Sequence, residues 1–121
     1  VRVAEMHSNI AVNPDISDEE MEHLIMNAHI HVMITFQATG LKLKLMNALF
    51  KGRFCIVNKD MLYGTGLEDI CKVANSSEDI IKAINTTMSE SFDQNMIEIR
   101  KDKLSGFTDN YLIKVLTKEI M

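Results

Sequence analysis

Tryptophan is absent from these 121 residues, and aromatic side chains make up only 6% of them. So few rings exclude an aromatic platform on which nucleic-acid bases would stack. Excess positive charge is lacking too: 13 Lys and Arg stand against 17 Asp and Glu, a net charge of -4. That balance argues against nucleic acid as the main partner. No apolar run is long enough to cross a bilayer, and no signal-peptide pattern opens the chain. There are two cysteines, Cys55 and Cys71, both in or beside apolar segments. They read as small buried hydrophobes in a reducing, cytoplasmic compartment, not as a disulfide or a metal pair. No internal repeat, low-complexity tract or linker divides the sequence. Catalytic-triad spacing, paired catalytic carboxylates and a zinc pattern are also lacking, so full catalysis by this chain alone is poorly supported. The first residue is Val1, and we expect a processed or trimmed piece of a longer protein.

What is present is the composition of an ordinary globular domain, with 46% hydrophobic and 25% charged residues. The length predicts one domain over 1–121 with a real core. Its organising stretch runs from Thr35 to Gly52. Ile30, Val32 and Ile34 alternate before it as a strand. A polar turn follows, then a helix from about Leu41 to Lys51, then the apolar run Arg53 to Val57. Strand, loop, helix and strand make a βαβ unit with a parallel pair. The helix is apolar on nearly every side, which predicts burial on more than one side, and Gly52 is a C′ stop.

The remaining elements follow from local signals. Val1 and Val3 alternate with polar residues, an ambiguous short-strand pattern. Asn9 to Val12 is a better strand candidate, ended by Asn13-Pro14-Asp15. Ser17 and Glu20 form a capping box for a helix with Met21, Leu24, Ile25 and Ala28 on one stripe, predicted to pack on the sheet. His29 and His31 share one face of the next strand, a weak metal pair without a third ligand nearby. Asn58 to Leu67 reads as a loop holding Gly64-Thr65-Gly66. Lys72 to Ala74 reads as an edge strand, and Ser76 and Ser77 cap a helix carrying Ile80, Ile81, Ile84 and Met88. A further helix is predicted over Ser89 to Lys103 and a last one from Thr108. The expected architecture is α/β, three-layer α/β/α and Rossmann-like, with a mostly parallel sheet of about four strands.

Ligands of open α/β sheets bind at the carboxyl ends of strands, where free amides and helix dipoles converge. Gly40 lets an anion approach the backbone, Thr39 offers a hydroxyl, and Lys42 and Lys44 supply charge. Thr39, Gly40, Lys42 and Lys44 therefore form a candidate diphosphate cradle; equally, Thr39 is an N-cap and Gly40 a convenient first-turn residue. Asn47 is an amide in an apolar helix and needs a partner, a ligand hydroxyl or a structural one, because an unpaired buried amide costs about 1–3 kcal/mol. Gly64 and Thr65 fall at the same edge, where such glycines usually just permit a turn.

Taken in order, the capped helix at Ser17, the strand His29 to Thr35, Gly40 to Gly52, the strand Phe54 to Val57, Gly64-Thr65-Gly66 and Ser77-Glu78-Asp79 resemble part of a known domain. It is the nucleotide-sugar-binding, C-terminal domain of group 1 (family 4-like) GT-B glycosyltransferases. Their pattern E-G-F-G-L-x-x-L-E-A-x-A-x-G is matched here by Gly40, Leu43, Met46, Ala48 and Gly52. Thr39 and Asn47 stand where the family's two glutamates contact the donor sugar and the ribose. The turn is also similar to the Thr-Gly turn of glycogen phosphorylases, which share the fold. The resemblance covers roughly Asn9 to Met88. It implies a hexosyltransferase-type enzyme of polysaccharide biosynthesis. Such an enzyme uses a nucleotide-sugar such as a UDP- or GDP-sugar, has no separate cofactor and needs an N-terminal acceptor domain that is missing from this chain. The fragment alone would then be inactive, and missing strands would leave a sheet edge through which a homodimer forms. The donor-binding residues implied are Thr39, Gly40, Leu41, Lys44, Asn47, Gly64 and Thr65. Two rivals stand beside this reading. One is a non-catalytic Rossmann-like docking module. The other is a phospho-receiver, which lacks the acidic strand end it needs.

Overall fold

The structure is a computed structural model and describes residues 6–37 and 43–105. Helix α1 (Asp18–Asn27) leads into β1 (Ile30–Met33), α2 (Leu43–Lys51) and β2 (Phe54–Val57). The short helix α3 (Lys59–Leu62) and a 3-10 turn (Glu68–Ile70) precede β3 (Lys72–Val73). Helices α4 (Ser77–Met88) and α5 (Gln94–Leu104) follow. The three strands form one parallel sheet in the order β1-β2-β3, with Ile30 beside Phe54 and Ile56 beside Lys72. The protein is thus α/β with a parallel sheet, and the βαβ unit from β1 through α2 to β2 is present.

Local chemistry explains where the helices start. Ser17 Oγ accepts the Glu20 amide at 3.1 Å, Ser76 Oγ that of Asp79 at 3.1 Å, and Asp93 Oδ1 that of Met96 at 2.9 Å. Each bond satisfies one amide that the first helical turn leaves without an intrahelical partner. Acidic residues fill the first turns of α1 and α4, next to the positive end of the helix dipole.

All four residues of the central strand β2 are buried. Cys55 and Val57 pack with Leu45, Met46, Ala48 and Leu49 of α2 and with Leu104 of α5. Strand alternation sends Phe54 and Ile56 to the opposite face, and α4, which lies against β1 and β2, covers it. A nearly continuous apolar run is what a strand covered on both faces requires. Each large side chain so buried contributes about 1.5–3 kcal/mol.

Several expectations are corrected. Asn9 to Val12 is not a strand; Ile10 and Val12 are exposed, and the Ile10 amide closes a turn onto the His7 carbonyl at 3.2 Å. Among the described residues no neighbouring strand offers this segment a ladder. The sheet has three strands among the described residues, not about four. Helix α1 does not bury an apolar face on the sheet: none of its residues is buried, and it rests against α2. The loop after β2 contains α3, started by Asn58. The helix predicted from Ser89 begins only at Gln94, because Ser89 closes α4, donating its hydroxyl to the Thr86 carbonyl at 3.2 Å. The strand pattern at Val1 to Val3 and the helix predicted from Thr108 lie outside the described residues.

Candidate functional site

The carboxyl edge of the sheet is built around Asn58, just beyond β2. Its Nδ2 donates to the Thr35 carbonyl at 2.7 Å, and its Oδ1 accepts the Thr35 amide at 3.3 Å. The same Oδ1 accepts the Met61 amide at 3.3 Å and so caps α3. One side chain therefore holds the end of β1 beside the end of β2. On the β3 side, Asn75 Oδ1 accepts the Lys59 amide at 2.8 Å, and the Ala74 amide donates to the Val57 carbonyl at 2.8 Å. The edge is a row of strand ends locked by two asparagines.

Two of the sequence-predicted site residues belong to α2. Lys44 is exposed in its first turn, and Asn47 is half-buried three residues on. That spacing puts them on one helix face. Thr39, Gly40 and Leu41 lie outside the described residues, as does Lys42.

Gly64 and Thr65 sit in the turn after α3, beyond the carboxyl end of β2. Gly64 and Gly66 have φ of 75° and 68°, the left-handed region that favours glycine. A Cβ at either would meet nothing within 4 Å, so the backbone angle and not crowding requires glycine there. The Thr65 hydroxyl is spent inside the turn, donating to the Leu62 carbonyl at 2.7 Å and accepting the Leu67 amide at 3.2 Å. Thr65 thus shapes the turn, and Gly64 and Gly66 are exposed on either side of it.

The histidines are bound to backbone rather than to each other. His29 Nε2 donates to the Thr87 carbonyl at 3.0 Å, and His31 Nε2 to the Ile25 carbonyl at 2.9 Å. Among the described residues no group of three or more His, Cys, Asp or Glu is arranged to hold a metal ion.

The opposite, amino edge holds a constellation the sequence reading missed. Arg100 of α5 is only 8% exposed. Its guanidinium donates to the Gly52 carbonyl at 3.1 Å, to that of Arg53, and to that of Ile70 at 3.5 Å. It stacks 4.6 Å from the centre of the Phe92 ring. Beside it a cavity of about 240 Å³ is lined by Cys55, Cys71, Phe54 and Lys72 among others. Both cysteines are free. Burial pushes the Cys55 thiol up to about 11 and the Cys71 thiol up to about 12, against a smaller downward pull from Arg100. Thiols so held are protonated at neutral pH and poor nucleophiles. Burial also lowers the Arg100 pKa. One signal pointed to Arg100: it falls on the four-residue row Phe92, Met96, Arg100, Leu104, a charge within an apolar stripe.

Among the described residues no helix is long and apolar enough to cross a membrane. Comparison of the chain with family models, with curated proteins and with solved structures found no match.

Proposed function

We propose that this chain is the donor-binding part of a GT-B glycosyltransferase of the group 1 type, with a Rossmann-like, three-layer C-terminal half domain. In the whole enzyme a sugar would pass from a nucleotide-sugar to an acceptor held by an N-terminal domain. The observation that carries the reading is the parallel β1-α2-β2 crossover, with Lys44 and Asn47 on one face of α2. The turn at Gly64 follows the carboxyl end of the adjacent strand. Nucleotide phosphates favour such a position because the helix dipole and first-turn amides stabilise negative charge.

In this reading the helix dipole and the Thr39-Gly40 amides stabilise the charge that develops on the departing nucleoside diphosphate. Lys44 adds a cation, Asn47 holds the ribose, and the segment Tyr63 to Gly66 closes over the sugar. Thr65 acts by fixing that segment, since its hydroxyl is already engaged.

Titration of the chain with UDP, GDP and sugar nucleotides, followed by NMR, tests the proposal. Saturable shifts confined to residues 39–44 and to Asn47 support it, and the preferred base is read from the same series. Gly40→Val is expected to abolish those shifts while leaving the rest of the spectrum in place. Equal binding by the variant would remove the cradle.

An exposed apolar face on the Leu41–Phe50 helix would favour the docking-module reading. Leu45, Met46, Ala48 and Leu49 of α2 are instead buried. What favours that second reading is elsewhere, on α1 and β1, where Leu24 and Val32 are exposed.

A further inference from the structure

The cavity of about 240 Å³ beside Arg100 has a wall built from β2, the 3-10 turn, β3, α5 and the segment before α5. Every residue of that wall is among the described ones. Most of the wall is apolar: Phe54, Phe92, Met96 and Ile99, with the Cys55 and Cys71 thiols. Protonated thiols and a thioether behave as small polarizable hydrophobes and pack well against ring edges.

The charges around the cavity do not balance. Glu90 pairs with Lys72 at 2.7 Å, and Asp69 pairs with Lys103 at 3.4 Å, so each carboxylate has its own cation. Arg100 is nine-tenths buried, and among the described residues no carboxylate pairs with it. A guanidinium stays protonated all the same. Three carbonyls and the Phe92 face orient the charge without neutralising it, whereas buried charges are ordinarily paired. The carbonyls also take only three of its five N–H groups, both on Nη1 and one on Nη2. The Nε–H and the second Nη2–H make no hydrogen bond among the described residues. Thr87 Oγ1 is the one buried side-chain N or O among them that is sealed off without a partner. The Arg100 Nε is therefore not sealed in protein but reaches accessible space.

We propose that this cavity is a binding site for a small aromatic monocarboxylate, its carboxylate taken by Arg100 and its ring by the apolar wall. One unbalanced positive charge calls for one negative charge. Two remaining N–H groups match the two oxygens of a carboxylate, which a planar guanidinium receives side by side. A cavity of about 150 Å³ holds benzene, so this one has room for a ring and the carboxylate it carries. The site lies at the edge of the sheet opposite the proposed donor cradle. It does not depend on that reading and stands whether nucleotide titration succeeds or fails.

Titration of the full 121-residue chain with benzoate, followed by NMR, tests it. Saturable shifts are expected at Cys55, Cys71, Met96 and Ile99. Benzamide has the same shape without the charge, and it is expected to bind about tenfold more weakly or worse. Acetate has the charge without the ring and is expected to bind as weakly. Because Arg100 also holds the fold, benzamide and not an Arg100 variant carries the test of charge. Cys71→Met fills the cavity with a longer side chain and leaves Arg100 in place, so benzoate affinity is expected to fall about tenfold. Ile99→Phe, at a position that is already half exposed, serves if Cys71→Met fails to fold. No saturable shift at millimolar benzoate overturns the proposal. Equal affinity for benzamide overturns it by removing the charge from recognition. Unchanged binding by the cavity-filling variant overturns it by placing the ligand elsewhere, as do shifts at Met26 and Leu49 in place of the two cysteines.

Discussion

Asn58 binds both backbone groups of Thr35, accepting its amide and donating to its carbonyl. It thereby does for the end of β1 what a further ladder residue would do, and with the same oxygen it starts α3. Strand pairing, helix capping and the shape of the carboxyl edge meet in one amide side chain.

Asn58→Leu removes all three bonds and leaves the Thr35 and Met61 backbone groups to find other partners. The expected cost is about 2 kcal/mol, read as a lower urea midpoint. Asn58→Asp keeps the acceptor but loses the donor to the Thr35 carbonyl, so a smaller loss is expected. Equal stability of Asn58→Leu and wild type would show that water replaces these bonds without penalty.

Arg100 joins three carbonyls from two separate segments, Gly52-Arg53 and Ile70. Arg100→Met keeps the stem and deletes the donors. Because buried acceptors are then left unpaired, we expect a loss of about 3 kcal/mol. Arg100→Lys is expected to recover little of it, since one ammonium cannot reproduce a planar fork of five donors. Thermal unfolding of the three proteins decides the matter. Full rescue by lysine would mean that the charge, and not the fork, holds the site.

Gly52 follows α2 and lies under the His31 ring. A Cβ built there falls 2.5 Å from His31 Nε2 and 2.8 Å from the Ala48 carbonyl oxygen. Gly52→Ala is therefore expected to destabilise the fold by about 2 kcal/mol through overpacking. Combining it with His31→Ala relieves only part of that, because the Ala48 oxygen is backbone and stays. A double-mutant cycle in urea measures the non-additive part. Simple additivity would show that the ring moves aside freely.

The thiols predict a loss of stability in alkali. Folded Cys55 and Cys71 titrate at about 11 and about 12, whereas an unfolded thiol ionises near 8.5. Between those values the folded state keeps protons that the unfolded state releases. The contribution is thus fully present below about pH 8.5 and is lost as pH rises towards the folded values. Urea midpoints measured from neutral pH to about pH 10 are expected to fall, and less steeply when both cysteines are replaced by alanine. Identical slopes for the two proteins would remove the thiols from the account.

Asn47→Leu separates the two roles open to that amide. If Asn47 holds a ribose, the variant keeps its fold and loses nucleotide-dependent shifts. If the amide serves the fold, stability changes and any binding survives.

Much of the framework was legible because it rests on short-range chemistry. Ser17, Ser76 and the alternation of Ile30 and Val32 act over three or four residues, and the structure keeps them, with β1 ending at Met33, short of Ile34. The apolar run Phe54 to Val57 announced a strand covered on both faces. The helix expected from Ser89 starts instead behind the Asp93 cap, because Ser89 closes α4. At the candidate site, the sequence marked the Gly64 turn but not that the Thr65 hydroxyl is used within it.

The sequence by itself determined where α1, α2, α4, β1 and β2 form, because caps and periodicity are local. Tertiary structure alone decided which faces are covered. The stripe of α1 promised burial, yet Met21 and Leu24 stay exposed, because among the described residues the helix rests against α2 and not on the sheet. It also decided that Arg100 serves Gly52, Arg53 and Ile70, partners 30 to 48 residues away in the chain. Contacts closed over such loops depend on how elements stack in space, which no short-range pattern encodes.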